Sequence, residues 1–120
     1  MKVSKQNADH YTWGGDCDGW RLLPRSDLNV IHERMPAGRA EVRHHHSVSR
    51  QFFFVLSGVL TMELGGERHA LTQGEGIEVP PQAPHQAMNR SDRDVEFLVI
   101  SHPTTRGDRT DEPVSPAASD

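Results

Sequence analysis

Between Trp20 and Ser101 the apolar residues of this 120-residue chain come in short runs broken by glycine, proline, asparagine or serine. That punctuation leaves room for strands and almost none for helices. The runs predict strands at 20–24, 28–35, 40–46, 51–56, 59–64, 67–71, 76–80, 84–89 and 94–101. Gly65-Gly66 is a two-residue hairpin signal, and Ser57-Gly58, Gln73-Gly74-Glu75-Gly76 and Pro36-Ala37-Gly38 mark further turns. No stretch sustains an apolar period of 3.6. Short strands at regular spacing predict an all-β sandwich or barrel.

The flanks differ in composition. Residues 1–19 are polar and rich in glycine and aspartate, and are expected as an N-terminal segment or arm on a barrel spanning 20–103. Residues 104–120, TTRGDRTDEPVSPAASD, hold Val114 as their one aliphatic side chain apart from alanine. Such a segment buries too little apolar area to offset its ordering entropy, which predicts a mobile C-terminal tail or an arm lying on the surface. The net charge of −4 provides no basic field for a nucleic-acid backbone. No apolar run approaches the ~20 residues that span a bilayer. The opening MKVSKQNADHYTW lacks the apolar stretch of a secretory signal, and the single Cys17 excludes an internal disulfide. A cytoplasmic protein is expected.

Eight histidines stand out, three of them consecutive. In a strand His44 and His46 leave the same face, while His45 points to the other in a structural or surface role. Gln51 opens the next strand, and His85 follows Pro80-Pro81 and Pro84. These side chains converge only inside a closed barrel, where they either pack and hydrogen-bond or bind a metal. Neutral imidazole is the usual ligand of first-row transition metals, and three at matched spacing favour the metal.

The stretch Gly38-RAEVR-His44-His45-His46-SVSR-Gln51-FFFVLS-Gly58 resembles the first motif of the cupin superfamily, G(X)5HXH(X)4E(X)6G, with Gln51 at the glutamate position. Gly74-EGIEV-Pro80-Pro81-Gln82-AP-His85-QAM-Asn89 resembles the second, G(X)5PXG(X)2H(X)3N, with Gln82 at a glycine position. The resemblance implies a double-stranded β-helix of jelly-roll type, a small single-domain cupin. It also implies one divalent transition metal (iron, manganese, nickel, copper or zinc) held by His44, His46 and His85. The family's glutamate is often a fourth ligand and sometimes a base. Gln51 can ligate through its oxygen or withdraw to hydrogen-bond, but it takes up no proton near neutrality. Some cupin dioxygenases of similar pattern work with three histidines and no carboxylate ligand.

Several other residues bear on function. Phe52, Phe54 and Leu56 share the strand face opposite Gln51, Phe53 and Val55, so this strand is apolar on both sides. Its outer face needs cover, and a homodimer is expected, with the N-terminal segment as the alternative. Phe53, Val55, Met88, Phe97 and Val99 are core or pocket-wall candidates. Either His32 or Glu33 faces inward, and whichever does is the possible general base. Asn89 is expected to bond at a turn, Glu67, His69 and Glu78 to be solvated, and Cys17, flanked by aspartates, to be an incidental thiol. Arg34, Arg39, Arg43 and Arg50 either line the mouth or face water. Arg106-Gly107-Asp108 matches a cell-adhesion tripeptide and carries no weight in so polar a segment.

The leading expectation is a metal-dependent enzyme acting on a small organic molecule. Oxidation by molecular oxygen ranks first, and isomerase or lyase chemistry second for want of a carboxylate base. The alternative is a non-catalytic module binding a small ligand or sugar.

Overall fold

The computed structural model describes residues 1–112, and the period-two patterning of the sequence carries directly into it. In β10 (Val95–His102) the residues Val95, Phe97, Val99 and Ser101 are buried while their neighbours are not. β5 (Arg50–Ser57) repeats the pattern with Gln51, Phe53 and Val55. The two pair antiparallel, with Phe97 opposite Val55, Val99 opposite Phe53 and Ser101 opposite Gln51. Cross-strand partners share a face, so one interior wall grades from apolar side chains to an amide and a hydroxyl.

Two antiparallel sheets enclose this interior. The first runs, in spatial order, β1 (Asp9–Trp13), β2 (Cys17–Pro24), β3 (Asn29–Met35), β10, β5 and β8 (Gly76–Val79). The second runs β11 (Thr110–Asp111), β4 (His44–His45), β9 (His85–Met88), β6 (Leu60–Leu64) and β7 (Glu67–Leu71). There is no helix among the described residues, and none that could cross a membrane. Met35, Val55, Leu60, Met62, Val95 and Phe97 are fully buried between the sheets and form the centre of the core. This is the expected all-β double-stranded β-helix.

Three local expectations are corrected. Residues 1–19 are not simply an arm. Asp9–Trp13 pairs with Cys17–Arg21 as the edge hairpin of the first sheet, turning through Gly14 and Gly15 at φ of 59° and 92°. The glycine and aspartate content marks this turn, which polar composition alone does not distinguish from a loose segment. The strand expected at 40–46 is regular only at His44–His45, because the Glu41 carboxylate accepts the Ala87 N–H at 2.8 Å and so replaces a ladder partner.

The described part of the C-terminal segment is a surface arm rather than a mobile tail. Residues 104–112 lie against the barrel, with Thr104 N–H on the Ser26 carbonyl and Thr110 and Asp111 paired with His45 and His44. Hydrogen bonds do there what apolar burial could not. The rest of the expected mobile tail, 113–120, lies outside the described residues.

Gln82, at the glycine position of the second motif, adopts a φ of 70°. A side chain pays a steric penalty there that glycine escapes, offset in part by glycine's larger loss of chain entropy. Gln82→Gly should therefore add about 0.5–1 kcal/mol of stability in denaturant unfolding. A destabilised variant would show that the Gln82 side chain holds this turn.

Candidate metal centre

His44 and His85 stand directly opposite each other where β4 meets β9, and His46, two residues on, shares their face. The three are buried, and their ligand nitrogens lie within 4.8 Å of one another. His44 Nδ1 is 2.7 Å from the Val42 carbonyl, His85 Nδ1 3.0 Å from the Ala83 carbonyl and His46 Nδ1 2.5 Å from the Asp108 carbonyl. A carbonyl has no proton to give, so each Nδ1 carries the hydrogen and each Nε2 presents a lone pair.

Nε2 of His46 and of His85 is buried without any hydrogen-bond partner. Such orphaned groups are rare in folded proteins and cost about 1–3 kcal/mol each. Protonation offers no relief, because desolvation lowers all three imidazole pKa values, that of His44 to about 3. Three neutral imidazoles with converging lone pairs are the donor set of a transition-metal site, and this trio can hold a metal ion.

Gln51 approaches from the other sheet. Its Nε2 donates to Ser101 Oγ at 3.1 Å, leaving Oε1 buried and without a partner. Gln51, His44 and His46 line one cavity of about 440 Å³.

The register of β3 settles which neighbour faces inward. Glu33 pairs with the fully buried Phe97 and His32 with Leu98 on the opposite face. Glu33 therefore lines the cavity, while His32 lies outside it, with Nε2 2.7 Å from Glu96 and its ring edge-on to Trp20. Burial, reinforced by the nearby Glu41 carboxylate, pushes the Glu33 pKa up to about 8. Glu41 is itself raised to about 7 by burial, against the pull of the Ala87 N–H and of Arg109.

Tyr11 reaches this wall because the chain makes room for it. Tyr11, Gly19 and Glu33 form one cross-strand row, and a Cβ on Gly19 would lie 2.2 Å from the Tyr11 ring. The Tyr11 hydroxyl approaches Glu33 at 3.4 Å, and burial raises its pKa.

Tyr11, Glu41 and Arg109 were not singled out by sequence. Tyr11 sits in the supposed arm and Arg109 in the supposed tail, and Glu41 lies among the variable positions of the first motif. The Asp9–Trp13 alternation around a glycine turn was the one usable signal. Phe53 and Val99 line the cavity, whereas Val55 and Phe97 belong to the core. Met88 does not line it.

Arg34, Arg39, Arg43 and Arg50 bind Asp18, Asp16, Glu63 and Glu78, respectively. His45 is half-buried near Glu112, and Asn89 donates to the Met35 and Arg93 carbonyls, closing a turn. The Cys17 thiol, raised by burial and then by Asp16 to about 11, is unreactive near neutrality.

Comparison with known proteins agrees with this geometry. The family model for the cupin domain matches residues 31–101. An uncharacterized protein of Methanocaldococcus jannaschii is 29% identical over 58% of this chain and 55% of its own length. A protein of Arthrobotrys oligospora named as an oxidoreductase is 28% identical over 79% of this chain and 41% of its own. The chain thus spans about half the length of the curated relatives it matches. Among solved structures, a predicted oxalate decarboxylase from Thermotoga maritima superposes with a TM-score of 0.80. It is 17% identical, over 87% of this chain and all of that one, a likeness of fold.

The titrations have opposite signs. Glu33 and Glu41, raised on folding, contribute stability below about pH 4.5 that is lost as pH climbs through about 7 to 8. The histidines, depressed on folding, contribute stability above about pH 6.5 that is lost on acidification. In chelator-treated protein, Glu33→Gln with Glu41→Gln should flatten the fall in Tm between pH 5 and pH 9 and leave the acid limb alone. An equal alkaline fall in variant and parent would contradict the assigned burial.

Proposed function

This chain belongs to the cupin family, and on that premise we propose that it is a metal-dependent enzyme moving a proton to or from a small organic molecule. One observation carries the reading: Glu33, a carboxyl whose pKa burial raises to about 8, shares a cavity with His44 and His46. The proposed ligands are His44, His46 and His85, with Gln51 as a fourth donor or as an amide bonding to whatever the metal holds. A divalent ion there would supply a Lewis acid toward a carbonyl or carboxylate oxygen of the substrate.

The chain's own residues do the rest. Gln51, held by Ser101, is neutral and cannot shuttle protons, so that work falls to Glu33 across the cavity. Tyr11 keeps its proton and orients the Glu33 carboxyl. Trp13, Ile31, Phe53 and Val99 supply apolar wall. Arg109 provides a cation beside them for an anionic group on the substrate.

Isomerase or lyase chemistry therefore moves ahead of oxidation, because the inward Glu33 supplies the missing base. Dioxygenase chemistry is the second reading, supported by a histidine trio without a carboxylate ligand and by the name of the Arthrobotrys relative. A homodimer belongs to the same proposal: Phe52 is 40% exposed and stacks on Phe54 on the outer face of β5.

The test is solvent-deuterium exchange into a panel of carbonyl compounds and hydroxy acids by metal-loaded protein. Exchange is expected, and Glu33→Gln should lower it by about 10²–10⁴-fold with metal content unchanged. Oxygen uptake without exchange would favour the dioxygenase reading. Ligand binding with neither would leave the non-catalytic module.

A further inference from the structure

We infer that the segment 104–112 is a working part of the metal centre, with Asp108 as the positioning residue for His46. This rests on the proposed histidine site. Two of the three imidazoles are oriented locally: the Nδ1 acceptors of His44 and His85 are carbonyls two residues earlier, Val42 and Ala83. His46 differs, since its acceptor is the Asp108 carbonyl, 62 residues along the chain. Without that carbonyl nothing in its own strand fixes which nitrogen carries the proton or where the ring points.

The Asp108 side chain makes the arrangement rigid. Oδ1 accepts the Ser47 N–H at 2.8 Å, and Oδ2 accepts those of Val48 at 3.0 Å and Ser49 at 2.9 Å. One carboxylate thus gathers three successive amides, a strong anion-binding geometry. Those amides belong to the link between His46 and Gln51, so Asp108 also sets how the two are spaced.

The segment is anchored on both sides of Asp108. Ser49 Oγ donates to the Pro103 carbonyl at 2.6 Å, Thr104 is tied to Ser26, and Thr110 and Asp111 pair with β4. Arg109, the next residue, bonds to the Val42 carbonyl at 3.3 Å and lines the cavity. Orientation of a ligating imidazole through its second nitrogen typically governs 10–100-fold of metal affinity. Of the tripeptide Arg106-Gly107-Asp108, it is the aspartate that makes these bonds.

Co²⁺ titration of the full chain, followed by its visible spectrum and by competition with a chelator, tests this. Asp108→Ala should weaken Co²⁺ binding by about 10–100-fold, and Asp108→Asn, which keeps one acceptor oxygen, should recover part of the loss. In the metal-free protein, nitrogen chemical shifts should show His46 solely as the Nδ1–H tautomer in the parent and mixed in Asp108→Ala. That signature would not follow from a general loss of stability. If Asp108→Ala fails to fold, the Asn variant decides by the same two readouts. Affinity within twofold of the parent with an unchanged tautomer would overturn the role of Asp108 alone. A parent that binds no Co²⁺ would overturn the histidine site with it.

Discussion

Three desolvated imidazoles set the terms for the rest of this molecule. A barrel this small can keep polar rings in its interior only if they stay neutral and find partners for their nitrogens. The structure gives every Nδ1 a carbonyl and leaves Nε2 of His46 and His85 facing one another's neighbourhood without a donor. The resulting deficit is electrostatic and directional. Burial opposes protonation, so a metal ion could relieve that deficit. The sheet register sets His44 opposite His85, and the docked residues 104–112 supply the carbonyl that His46 meets.

The opposite wall solves a different problem. Gln51 occupies a position at which a carboxylate could both bind metal and move protons, and it can do only the first. Glu33 stands on another strand, where burial and the proximity of Glu41 raise its carboxyl pKa to about 8. Gly19 is the structural condition for this wall, because only a missing side chain lets the Tyr11 ring cross the row to reach Glu33. The imidazoles of His44 and His85 thus stand on one sheet, and Gln51 and Glu33 on the other.

Much of this was legible in the sequence. Alternation identified the interior positions Gln51, Phe53, Val55, Phe97 and Val99, and the spacing of His44, His46 and His85 singled out the trio that the fold gathers. Parity could narrow the inward residue only to His32 or Glu33, because apolar residues stand at both parities, Val30 with His32 and Ile31 and Met35 with Glu33; the pairing of Glu33 with Phe97 decides it. The N- and C-terminal contributions escaped for a different reason. Tyr11 reaches the cavity through a glycine gap, and Asp108 acts through backbone amides and its own carbonyl. Neither mode of attachment leaves an apolar pattern.

The most direct test is metal stoichiometry of the untagged protein, purified without metal-affinity resin and analysed for iron, manganese, nickel, copper and zinc. It should retain, or take up on incubation, about one equivalent of one divalent ion per chain, with the Nε2 nitrogens of His44, His46 and His85 as its ligands. The variant lacking all three imidazoles should fold and hold none. A parent chain that stays empty against every ion, or a triple variant that keeps a full equivalent, would contradict the metal centre.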